Sequence, residues 1–143
     1  MKIEEQVLSI EQMKHLQELG VDTSDASMCW IADDSCINFI PDNNGESEVK
    51  WNVAIPSVFL LPYRPIPTYT IGDLIEKLPK RIDFGYGEYD LEILISGEYI
   101  GVQYTSDGDY TPLSYSKPSL IESLYSILCG MAKEYKKLLE AKK

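Results

Sequence analysis

The chain has 143 residues, 44% of them apolar and 25% charged, with a formal net charge of −10. That length suits one domain burying roughly 68% of the surface of its unfolded chain, and two cores would be cramped. No apolar run approaches the roughly 18 to 20 residues of a membrane span, and an acidic surface repels phosphate backbones, so membrane insertion and direct nucleic-acid binding are disfavoured.

The charge is uneven. Residues 1–50 hold eleven acids and three bases (−8), residues 51–100 seven and four (−3), and residues 101–143 five and six (+1). An acidic N-terminal third either meets a basic protein surface or simply keeps the chain in solution. The opening M-K-I-E-E-Q lacks a basic stretch followed by an apolar one, so no signal peptide is expected, and the expected compartment is the cytoplasm. Cys29, Cys36 and Cys129 form an odd set without a C-x-x-C, which favours free thiols. Ten tyrosines stand against three phenylalanines. Tyrosine suits half-buried sheet positions with wet hydroxyls, or alternatively a binding surface.

Ser9-Ile10-Glu11-Gln12 fits a capping box, and Ile10, Met13, Leu16 and Leu19 recur at helical spacing before Gly20, predicting a first helix over about 10–19. His15 points away from that stripe and reads as a solvated helix-surface residue. A turn-rich connector from Val21 to Ser27 leads to a strand at Met28 to Ile31, a turn at Asp33-Asp34-Ser35 and a short strand over Cys36 to Ile40. Pro41 to Glu48 is the clearest loop. Val49, Trp51 and Val53 alternate with polar residues as a half-buried strand does. Ile55 to Leu61 is apolar, but Pro56, Pro62 and Pro65 confine it to an edge or an extended crossing.

From Pro65 to Tyr104 the punctuation is dense. Thr70 with Asp73 caps a second helix whose buried face is Ile71, Leu74, Ile75 and Leu78, and Pro79 ends it. Arg81 to Phe84 and the turn Gly85-Tyr86-Gly87 lead into a hairpin. Tyr89, Leu91, Ile93 and Ile95 share its core face, with Asp90 and Glu92 opposite. A two-residue turn at Ser96-Gly97 or Gly97-Glu98 puts Ile100, Val102 and Tyr104 on the same core face in either register, and Gly101 reads as a bulge or close backbone approach. After a loop at Thr105 to Asp109, Tyr110 to Ser114 reads as an edge strand. Ser116 or Ser119 caps a long last helix with Pro118 in its first turn. Its stripe runs Leu120, Leu124, Ile127, Leu128, Met131, Tyr135 and Leu138, with lysines crowding the end that the helix dipole makes favourable to cations.

Catalytic constellations are thin. Cys29 and Cys36 with His15, Asp33 and Asp34 make the best metal set available, and their spacing matches no zinc knuckle. Asp107 and Asp109 lack the remaining carboxylates of an EF-hand loop. One histidine and no G-x-S-x-G leave nucleophilic catalysis without a partner pair, and no phosphate-cradling glycine motif occurs. No catalytic residue, metal or cofactor is therefore assigned.

P-T-Y-T-I-G-D-L-I-E-K-L-P followed by a hairpin, the closing S-L-I-E-S-L-Y-S-I-L, and the opening I-E-Q-M-K-H-L-Q-E-L-G-V-D-T-S-D-A-S-M-C-W carry a likeness. The chain resembles small uncharacterised proteins encoded in prophages and mobile elements of gut Bacteroidales. The resemblance implies a bacterial or phage cytoplasmic setting, and no activity.

The expected fold is α+β in a single domain spanning 1–143: one antiparallel sheet of about five strands, with the first and last helices packed on one face and a short helix near 71–78. The expected function is that of a non-enzymatic accessory or regulatory protein that binds another protein. A small carboxylate-dependent hydrolase or transferase needs a cleft gathering at least two of Asp33, Asp34, Asp90, Glu92, Asp107 and Asp109. The third option is an acidic DNA mimic. The candidate binding residues are Tyr63, Tyr69, Asp90, Glu92 and Tyr99.

Overall fold

Caps and turns set the local structure. In a computed structural model that describes residues 5–32, 51–57, 65–106 and 111–140, eleven elements follow one another. They are α1 (Ile10–Glu18), β1 (Met28–Ala32), β2 (Trp51–Ala54), β3 (Ile66–Thr68), α2 (Ile71–Lys77), β4 (Arg81–Asp83), β5 (Glu88–Ser96), β6 (Tyr99–Thr105), β7 (Leu113–Lys117), α3 (Leu120–Glu134) and α4 (Lys136–Glu140). The class is α+β. Both expected capping boxes form: Ser9 Oγ accepts from the Gln12 N–H at 3.1 Å while Gln12 Oε1 accepts from Ser9 at 2.9 Å, and Thr70 exchanges the same pair of bonds with Asp73.

The strands form two antiparallel sheets, in place of the single sheet of about five expected from sequence. One has three strands in the order β2-β1-β3, and the other has four in the order β4-β5-β6-β7. Single-strand alternation reports a buried face without saying which sheet supplies it. Leu8 ties the N-terminal segment to the small sheet. Its N–H donates to the Tyr69 carbonyl, and its own carbonyl accepts from Trp30 Nε1 and Thr68 Oγ1 at 2.9 and 2.7 Å.

The core sits elsewhere. Ile82, Tyr89, Val102, Tyr104 and Leu113 from the inner face of the four-stranded sheet bury against Leu124, Ile127, Leu128 and Met131 of α3. Leu74 and Leu78 of α2 join the same cluster with Met13 and Leu16 of α1. Helix α3 thus lies between the sheet and the two smaller helices, and α1 packs on α3 and β3.

Of the two caps expected for α3, Ser119 is the one that forms, with the Glu122 N–H donating to its hydroxyl, and Ser116 belongs to β7. Four local expectations change. Pro118 precedes the cap and is not in the first turn. The last helix breaks at Tyr135 (φ −132°, ψ 38°) before α4 resumes. The β5–β6–β7 ladder passes through Gly101 in register, without a bulge. The strand expected over Tyr110–Ser114 is displaced to Leu113–Lys117. The expected turn at Asp33 to Ser35, strand at Cys36 to Ile40 and loop at Pro41 to Glu48 lie outside the described residues, as do Val49 and positions 58–64.

Candidate functional site

The β5–β6 hairpin is supported unequally: β7 pairs along β6 from Ile100 to Tyr104, whereas β4 meets only the start of β5. Ser96 pairs with Tyr99, so the turn is Gly97-Glu98, with Gly97 in the left-handed region at φ 60°. On the inner face Val102 and Tyr104 of β6 are fully buried under α3, which packs on β6 and β7, but on β5 Ile93, opposite Val102, is 40% and Ile95, opposite Ile100, 80% exposed. On the other face Leu94 and Tyr99 are 42% and 52% exposed. Four large apolar side chains therefore gather at one end of one hairpin.

That end also carries a strand edge that is open among the described residues. Strand β4 pairs with β5 only over Glu88 to Asp90, and one further bond runs from the Leu91 N–H to the Lys80 carbonyl at 2.8 Å. Beyond it, among the described residues, no strand pairs with the outer side of β5. Backbone groups in an antiparallel strand alternate sides. The N–H and C=O of Ile93 and Ile95 therefore point the same way as those of Leu91, away from β6. An apolar strand whose outer donors and acceptors meet no strand among the described residues is a template for another strand.

The register also places the predicted residues. Asp90 and Glu92 of β5 share with Tyr99 of β6 the face turned away from α3. Arg81 stands opposite Asp90 on that face, with Nε 2.7 Å from Asp90 Oδ1 and Nη1 3.8 Å from Glu88. The hydrogen bond from Arg81 holds the Asp90 carboxyl below its usual range. Tyr63 lies outside the described residues.

Tyr69, a candidate binding residue by sequence, is not at the surface: its ring is fully buried in the core. Its hydroxyl lies 2.6 Å from Asp25 Oδ1 and 2.8 Å from the Asp22 carbonyl. The single proton goes to the carboxylate, the shorter and charge-assisted contact. Burial first, then the bond to Asp25, pushes the phenol far above its ordinary value.

These groups wall a second feature that the sequence did not reveal, a cleft of about 710 Å³ between the Leu19–Asp25 segment, α2 and the α3–α4 junction. Lys77 Nζ reaches Asp25 Oδ2 at 3.0 Å and the Asp22 carbonyl at 2.8 Å. Burial would raise the Asp73 carboxyl, but hydrogen bonds to its Oδ2 from Ser27 and Thr70 outweigh burial and hold it low. The available signal was the pair of acids in V-D-T-S-D-A-S, whose lysine partner lies 52 residues on. Asp90 and Glu92 are outside this cleft, and Asp33, Asp34, Asp107 and Asp109 lie outside the described residues.

Among the described residues no three His, Cys, Asp or Glu side chains gather as metal ligands, and no helix is long and apolar enough to cross a membrane. The chain matches no protein-family model, no curated protein and no solved structure.

Proposed function

We propose that this chain is a non-enzymatic accessory or regulatory protein that binds another protein through the free end of its β5–β6 hairpin. The observation that carries this reading is the coincidence of a strand edge unpaired among the described residues with exposed Ile93, Leu94, Ile95 and Tyr99. Full burial of an isoleucine or leucine side chain is worth roughly 1.5–3 kcal/mol, so a partner covering this end recovers a useful binding energy from few residues. Grouped apolar side chains of this kind are a recognised mark of interaction sites. Binding is preferred over carboxylate chemistry because both Asp25 oxygens are bonded, to Tyr69 and Lys77, and Asp73 Oδ2 accepts from Ser27 and Thr70. A bacterial cytoplasmic setting belongs to the same proposal, and the free, buried thiols of Cys29 and Cys129 are compatible with it.

The test is affinity capture from a gut Bacteroidales lysate with wild-type chain and Ile95→Lys. A stoichiometric partner held by the wild type and released by the variant is expected. Recovery of no stoichiometric partner by the wild type would sink the proposal.

A further inference from the structure

The open edge specifies the shape of what covers it. Only an extended chain presents backbone donors and acceptors at the spacing of Ile93 and Ile95, which face outward two residues apart. The flanking chemistry narrows the occupant further. Residues opposite Ile93 and Ile95 would meet two exposed apolar side chains, whereas the position opposite Glu92 and the one nearest Glu98 would meet carboxylates. The whole chain adds a net charge of −10. Cross-strand neighbours of opposite charge stabilise a pair and like charges oppose it.

We propose that the partner adds a strand to the β5 edge, with apolar residues facing Ile93 and Ile95 and lysine or arginine facing the Glu92 and Glu98 ends. This rests on the protein-binding reading above and names the partner's chemistry. A second copy of this chain fits less well. Pairing Ile93 of one copy with Ile95 of another carries each Gly97-Glu98 turn to the level of Leu91, whose N–H is already bonded to Lys80. It also opposes two acidic molecules.

The experiment titrates a seven-residue alternating lysine–valine peptide, acetylated and amidated, into full-length wild-type chain. Hydrogen exchange is followed at the Ile93 and Ile95 amides. Slowing of both by about tenfold or more is expected, as these amides become hydrogen-bonded. The same peptide with N-methylated valines should bind at least about tenfold more weakly, because methylation removes the N–H groups facing the edge. Replacing lysine by glutamate should weaken it too, and raising salt from about 0.05 to 0.5 M should reduce affinity. Ile95→Pro removes an N–H directed away from β6 together with the isoleucine side chain, and should lose the peptide while keeping the β5–β6 ladder.

Equal affinity for the N-methylated peptide overturns the proposal, because attraction then comes from charge alone. So does protection of Ile93 and Ile95 that rises with protein concentration and with salt in the absence of peptide, which identifies a second copy on the edge. A lysate partner held equally by wild type and Ile95→Pro leaves protein binding standing and removes the strand. Absence of any lysate partner removes the functional reading, while the peptide titration still decides the edge.

Discussion

The Ser123 hydroxyl donates to the Ile100 carbonyl at 2.5 Å, and the Lys117 N–H donates to the same hydroxyl at 3.0 Å. Ile100 and Lys117 are the terminal pair of the β6–β7 ladder, so a side chain from the first turn of α3 completes a bond that two strands would otherwise make directly. Ser123 is fully buried. The helix is pinned to the sheet at the level of Ile100, and only the Ser96–Tyr99 pair with its turn extends beyond that point. Ser123→Ala removes the partner of both backbone groups and should cost about 1–3 kcal/mol. Urea unfolding measures the loss, and the Lys117 amide should exchange faster. Unchanged stability would show that the strands close the ladder without the hydroxyl.

Gly130 sits in α3 beneath the Tyr115 ring. A Cβ there would stand 2.5 Å from the Tyr115 hydroxyl oxygen and 3.2 and 3.3 Å from two ring carbons. Helix propensity alone favours alanine by about 1 kcal/mol. Displacing a packed ring from a site of this density costs about 1–3 kcal/mol, so the overlap outweighs the propensity gain. Gly130→Ala is expected to lower the thermal midpoint. Adding Tyr115→Leu, which removes the ring, should restore part of the loss, and a stabilised single variant would contradict the close approach.

Local signals in the sequence carried as far as their range. Ser9 with Gln12, Thr70 with Asp73, and Gly97 beside Glu98 each act within a few residues, and each element formed where those residues place it. Alternation also assigned Ile93 and Ile95 to the same face as Leu91, which the register confirms. It could not report that α3 lies over β6 and β7 and leaves Ile93 and Ile95 of β5 to one side. Burial depends on what lies opposite, and a period of two contains no such information. Tyr69 failed for the same reason, since its hydroxyl is satisfied by Asp25, 44 residues away. Tyr135 interrupts the last helix although neither glycine nor proline marks the break, and its ring packs edge-to-face on Phe84 at 4.9 Å. The cleft between Asp25 and Lys77 is wholly a product of tertiary contact.

Asp73 couples stability to acid. Its carboxylate accepts from Ser27 and Thr70, and these bonds lower its folded pKa beneath the ordinary 3.8. A group with a depressed folded pKa contributes stability that is complete above its unfolded pKa and is lost as pH falls through the folded one. Wild-type stability should therefore decline below about pH 4. Asp73→Asn weakens the cap of α2 and the tie to Ser27, costing about 1–2 kcal/mol at neutral pH. The gap between the two proteins should narrow as pH drops toward 3, because the wild-type advantage is then protonated away. A gap that is constant with pH would mean that the carboxylate charge contributes nothing.

Tyr104 sets the opposite limb. Its hydroxyl is buried and donates to the Pro79 carbonyl at 2.8 Å, and burial pushes the phenol far above its ordinary value of 10.0. For a raised folded pKa the contribution to stability is complete below the unfolded value and is lost as pH climbs toward the folded one. The folded chain holds the proton while the unfolded chain releases it, so alkali favours unfolding from about pH 10 upward. Tyr104→Phe should cost about 1 kcal/mol at neutral pH, where it leaves the Pro79 carbonyl without its donor. Phenylalanine cannot ionise, however, so the variant should lose stability less steeply above pH 10. Urea unfolding at a series of pH values between about 7 and 11 should show the two curves converging. Parallel curves across that range would mean that the Tyr104 phenol is as free to ionise in the folded chain as in the unfolded one.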